Sequence, residues 1–154
     1  MTPGQDSGEQ PLPEQDFDPD QLNLVLRVTL SAQRTAVEPV VEQVMEVVRR
    51  LEGVNGKEDA IELALQEALA NAVIHGARED PKKTVECVVS RDAERGLLIV
   101  VRDPGTGFRP DGIPACTVGE NVYSNHGRGI FLISQLMDKV EFHKNGTEIH
   151  MIKR

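Results

Sequence analysis

The stretch Glu67-Ala68-Leu69-Ala70-Asn71-Ala72-Val73-Ile74-His75-Gly76 decides how this 154-residue chain is read. It closes a segment that starts near Lys57, in which Ile61, Leu65, Ala68, Leu69, Ala72 and Val73 recur at helical spacing. At about 100° per residue these six side chains form one apolar stripe. Glu67 and Asn71 stand one turn apart and lie together on the flank of that stripe, and His75 continues their row. The spacing predicts a helix over 57–76, buried along one side, with Gly76 as its C-terminal stop.

Working outward, the upstream residues Leu22, Leu24, Leu26, Val28 and Leu30 alternate strictly, the pattern of a half-buried strand. Val37, Val40, Val41, Val44, Val47, Val48 and Leu51 then follow at helical spacing over about 35–51, with Pro39 in the first turn. Gly53 and Gly56 break that helix. Downstream, Thr84–Ser90 and Gly96–Arg102 read as strands joined by a polar turn at 91–95. Residues 103–125 contain Pro104, Pro110, Pro114 and four glycines, and a loop of this length in a small domain is usually functional. A helix over about 127–137 follows, and strands Lys139–Lys144 and Thr147–Lys153 flank a turn at Asn145-Gly146. The order β-α-α-β-β-loop-α-β-β predicts an α+β two-layer sandwich, with helices on one face of a mostly antiparallel sheet.

Composition narrows the function. Apolar residues make up 39% of the chain, but aromatics only 3% and Trp is absent, so the core must be aliphatic. The net charge is −8, and residues 1–20 carry six acids and no Lys or Arg. They read as an unstructured acidic leader, leaving residues 21–154 as the folded domain. Beyond residue 20 there are 19 acids against 17 bases, which gives no electrostatic case for DNA or RNA as a direct ligand. Cys87 and Cys116 lack metal-ligand spacing and read as free thiols of a reducing cytoplasm. No basic n-region with an apolar stretch opens the chain and no apolar run approaches membrane-spanning length, so the expectation is a cytoplasmic protein.

Two further segments carry chemistry. Asp103-Pro104-Gly105-Thr106-Gly107-Phe108 follows the apolar run 97–101, and its glycines let the backbone turn sharply and approach a ligand. Alone the pattern is also that of a tight turn; in a binding role Asp103 would accept from the exocyclic amine of adenine. His126-Gly127-Arg128-Gly129-Ile130 opens a helix, where backbone N–H groups make an anion site and Arg128 adds a fixed positive charge. No Gly-Lys-Ser/Thr appears, so this is not a P-loop. Asn71 offers a neutral oxygen to Mg²⁺, an ion that fills the rest of its shell with phosphates and water. Glu67 is within one turn as a proton acceptor. Gly146-Thr147 puts a hydroxyl in the last hairpin. Together these are parts that ATP and Mg²⁺ require.

In this order and spacing the chain resembles the GHKL superfamily of ATP-binding domains, the Bergerat fold shared by gyrase and the histidine kinases. Glu67…Asn71 looks like the N box, Asp103-x-Gly105-x-Gly107 the G1 box, Gly127-x-Gly129 the G2 box, and Gly146-Thr147 the remaining nucleotide contact. The resemblance spans about Leu22 to Arg154 and is nearest to the bacterial anti-sigma factor serine/threonine kinases. It implies that Glu67 is the general base, Asn71 the Mg²⁺ ligand, Asp103 the adenine reader, 108–126 the ATP lid and Arg128 a γ-phosphate contact. It also implies two partners, a sigma factor and an anti-anti-sigma protein of the STAS type that is phosphorylated on Ser or Thr, and a possible homodimer. The same nucleotide residues would serve an ATP-responsive binding module, and retention of Glu67 favours the enzyme. A self-contained ATP hydrolase would need transducer domains, and a histidine kinase a phosphoacceptor hairpin. Neither is expected from these 154 residues.

Overall fold

The computed structural model describes residues 23–92, 94–105 and 126–154. The acidic leader 1–20, Gly107, Cys116 and the expected lid up to residue 125 lie outside them. Five strands, β1 (Asn23–Ser31), β2 (Thr84–Asp92), β3 (Gly96–Arg102), β4 (Lys139–His143) and β5 (Glu148–Lys153), form one sheet in the order β1-β2-β3-β5-β4. Every pairing is antiparallel. Among the described residues three α-helices, α1 (Val37–Val48), α2 (Glu58–Asn71) and α3 (His126–Leu136), complete the α+β sandwich.

Alternation along the strands divides the sheet into two faces. Val85, Cys87, Val89, Leu97, Ile99, Val101, Ile149 and Met151 join the helices in the main core. On the other face Val88, Leu98, Val100 and Ile152 form a second cluster, at most 1% exposed. Burial on both faces explains why Leu97–Val101 reads as an unbroken apolar run. The stripe read on α2 is the one it buries: Ile61, Leu65 and Leu69 are fully enclosed. Truncating Leu65 to Ala would cost about 2–5 kcal/mol. Gly53 and Gly56, which part α1 from α2, have φ of 90° and 84°, a conformation open to glycine.

Three sequence expectations are revised. The β1 register shifts between Leu24 and Leu26, so strict alternation fails at this bulge and Leu24 is 54% exposed. The first helix is shorter than 35–51, opening as a 3₁₀ turn at Arg34–Ala36 and ending at Val48. The helix predicted to run to Gly76 widens after Asn71 into a π-turn, Ala72–Gly76, in which the Ala77 N–H donates to the Ala72 carbonyl at 2.8 Å. Arg78 and Glu79, at φ of 55° and 57°, supply the left-handed stop expected of Gly76. Gly76 has a different task.

Candidate functional site

Gly76 belongs to a close contact between three segments distant in sequence. A methyl group on Gly76 would overlap the Asp103 carboxylate, and one on Gly105 would overlap the Gly76 carbonyl. Only a bare backbone lets the end of α2 and the loop after β3 approach this far. Asp103 is fixed from two sides. Its backbone N–H donates to the Thr147 carbonyl at 2.9 Å, and its Oδ1 accepts from the Gly105 N–H at 2.8 Å. Burial pushes its carboxyl above the usual aspartate value, while the Gly105 N–H pulls the other way. The result is a half-buried carboxylate tethered at the end of β3, on the wall of a cavity where it could accept from a ligand.

At the opposite end, Glu67 and Asn71 converge on the first turn of α3. A methyl group on Gly129 would lie 2.8 Å from Asn71 Nδ2 and 3.0 Å from Glu67 Oε1. Such distances fall inside van der Waals contact, so glycine at 129 is what lets the start of α3 seat against both side chains. The N-terminal N–H groups of α3, whose partial positive charge favours anions, are thereby brought beside a carboxylate and an amide. Gly127 and Arg128 also lie in that first turn.

Between the two ends is a cavity of about 400 Å³, within the range of small-molecule sites. Of the residues in the nucleotide motifs, Asn71, Asp103, Gly105 and Thr147 line it, and so does His75, the next residue in the Glu67–Asn71 row. Glu67 and Gly129 adjoin it through Asn71 rather than line it. Thr147 Oγ1 donates to the Lys144 carbonyl at 2.8 Å, leaving its lone pairs to accept. Phe142 and Ile149, from β4 and β5, supply an apolar wall. Arg78 and Lys83 line the cavity as well. No local pattern shows that these two cations turn back over the site. Their proximity to Gly76 in sequence was the available signal.

His75 sits in the π-turn, where burial, and then the nearby Arg34 charge, hold its pKa below the usual histidine value. Arg34 is placed by Glu79, which accepts from its Nε at 3.0 Å and from its terminal nitrogen at 2.9 Å. This fork ties the segment after α2 to the 3₁₀ turn before α1. His75 is therefore a neutral wall of the cavity.

Asn71 is suited to hold Mg²⁺, since the space beside Gly129 keeps its amide at the mouth of the anion-favouring helix end. A family model described as a histidine kinase-like ATPase domain matches residues 30–153, from the end of β1 to the end of β5. The chain belongs to this family. Two relatives are both named anti-sigma F factor. That of Oceanobacillus iheyensis is 25% identical over 135 residues, 83% of this chain and 81% of its own length. That of Bacillus cytotoxicus is 29% identical over 133 residues, 82% of this chain and 80% of its own. A histidine kinase-like ATPase domain implies ATP binding, and the cavity between α2, α3 and the sheet is the candidate site. No helix among the described residues is long and apolar enough to cross a membrane.

Proposed function

We propose that the chain is a Mg-ATP-dependent serine/threonine protein kinase acting as an anti-sigma factor. In this reading it binds a sigma factor, and it phosphorylates a STAS-type anti-anti-sigma protein to release it. The convergence of Glu67 and Asn71 on the backbone of Gly129 carries the reading. That convergence supports reading Glu67 as the proton acceptor and Asn71 as the metal ligand, at the end of α3 that favours anions. Two relatives named anti-sigma F factor support the choice of partner.

Asp103 accepts from the adenine amine, and its negative charge disfavours the guanine carbonyl at the same position. Phe142 and Ile149 cover the base, and Thr147, whose hydroxyl hydrogen goes to the Lys144 carbonyl, accepts at its edge. Mg²⁺, when bound through Asn71, neutralises phosphate charge. Backbone N–H groups of Gly127 to Gly129 and the Arg128 guanidinium cradle the phosphates, a task in which positioning and charge stabilisation supply most of the catalysis. Glu67 takes the proton of the incoming Ser or Thr hydroxyl as its oxygen bonds to the γ-phosphorus and ADP leaves.

Incubation of the protein with γ-labelled ATP and a STAS protein from the same genome tests this. Label is expected on a Ser or Thr of the partner. Tight ATP binding without transfer to any such partner would sink the kinase and leave a nucleotide-responsive binding module.

A further inference from the structure

On the face of the sheet turned away from the cavity, four residues with ligand side chains form a square. Glu141 and His143 alternate on β4, and Glu148 and His150 alternate on β5. Glu141 pairs directly with His150, and His143 with Glu148. Ligand atoms of Glu141, His143 and His150 all lie within 4.8 Å of one another, and the two imidazole rings are 4.0 Å apart.

The hydrogen bonds of this square are divided unevenly. Glu148 Oε2 accepts from Arg102 Nε at 2.7 Å and faces Lys144 Nζ at 3.4 Å. Its Oε1 lies 3.1 Å from His150 Nε2. Glu141 Oε2 is paired with Lys139 Nζ at 3.0 Å, and its Oε1 lies 3.2 Å from His143 Nε2. His150 has a side chain only 7% exposed, and its Nδ1 has no hydrogen-bond partner among the described residues. An imidazole that donates Nε2–H to a carboxylate presents a lone pair at Nδ1. Leaving that lone pair buried and unmatched is costly. A carboxylate on the far nitrogen of a histidine is also the arrangement that orients metal-bound imidazoles.

We propose that Glu141, His143 and His150 form a binding site for a divalent transition-metal cation of the Zn²⁺ class. Two imidazole nitrogens and one carboxylate oxygen suit Zn²⁺, with water in the fourth position. Glu148 orients His150 and is not a ligand. The bound ion staples β4 to β5 on one face while Phe142 and Ile149 line the cavity on the other. It therefore stiffens a wall of the nucleotide site without touching nucleotide.

The full chain, stripped with a chelator and free of nucleotide and Mg²⁺, would be titrated with ZnCl₂ by calorimetry, with Tm followed in parallel. One equivalent should bind and raise Tm, because a cation bound to the folded state alone stabilises it. Co²⁺ should give the visible absorption of a tetrahedral site. His143→Ala, at the half-exposed corner, should weaken Zn²⁺ by about 10-fold or more and remove the Tm rise. Glu141→Gln should weaken it less. His150→Ala should lose binding, and His143→Ala keeps the test open if that buried variant does not fold. Absence of saturable Zn²⁺ binding overturns the proposal. So does binding that both His143→Ala and Glu141→Gln leave unchanged, which would put the ion elsewhere.

Discussion

The two ends of the cavity are built in opposite ways. At the Asp103 end, three backbones close on one another, and Gly76 and Gly105 leave no room for a side chain. At the Glu67 end, two helical side chains reach toward a single glycine, Gly129, at the start of α3. At the first end backbone meets backbone, so forcing a side chain between Gly76 and Asp103 should harm folding and binding together. The second is an assembly of side chains on helix surfaces, so disturbing it should harm transfer and spare the fold. Separation of these phenotypes is the sharpest consequence of the architecture.

The largest effect is expected from Glu67→Gln. Phosphoryl transfer to a STAS protein should fall by about 10²–10⁴-fold, with ATP affinity and Tm close to wild type. A variant that loses affinity in step with rate would make Glu67 part of the binding surface and erase the contrast. Gly76→Ala is the counterpart at the other end. Forcing a methyl into the Asp103 carboxylate should cost about 1–3 kcal/mol, as overpacking does, read as a lowered urea midpoint and a lost ATP isotherm. Gly129→Ala should reduce transfer with a smaller loss of stability, since Asn71 and Glu67 have helical side chains that can give way.

Asp103 supplies a subtler test. Its folded pKa is raised, so the folded protein holds this proton more tightly than the unfolded chain does. That contribution is present at acid pH and is lost as pH rises from the ordinary aspartate value through the folded one. At neutral pH the ionised carboxylate is therefore a cost to the empty protein. Asp103→Asn, which keeps an oxygen for the Gly105 N–H, should unfold at higher urea than wild type at pH 7. The gap should narrow at acid pH. The smallest effect concerns the outer rim: Arg34→Ala should let His75 titrate closer to its usual value in NMR, with little change in ATP affinity.

Much of this was legible in the sequence. The strands and the α2 stripe follow from local pattern alone: alternation along most of β1, an unbroken apolar run in β3, and a period of 3.6 in α2. The Glu67–Asn71 pair was legible because both residues share one helix. Gly76 was misread because a glycine at the end of a helical run has two explanations, a left-handed stop or a close contact. Only the position of Asp103 separates them. Leu24 left its face because a bulge costs no recognisable residue in sequence. Arg78 and Lys83 enter the site through the path of the chain after α2, which no period encodes. The square on the outer face, Glu141-x-His143 and Glu148-x-His150 about a turn, was not read from the sequence. Its meaning depended on direct cross-strand pairing of the two doublets.

The central claim is that the cavity is an adenine nucleotide site with Asp103 at its base end. Calorimetric titration of the wild-type protein and Asp103→Asn with Mg-ATP and Mg-GTP tests it most directly. Wild type should bind ATP at one equivalent and GTP at least about 10-fold more weakly, and Asp103→Asn should lose ATP affinity while remaining folded. Equal binding of ATP and GTP by wild type, or undiminished ATP binding by folded Asp103→Asn, would contradict it.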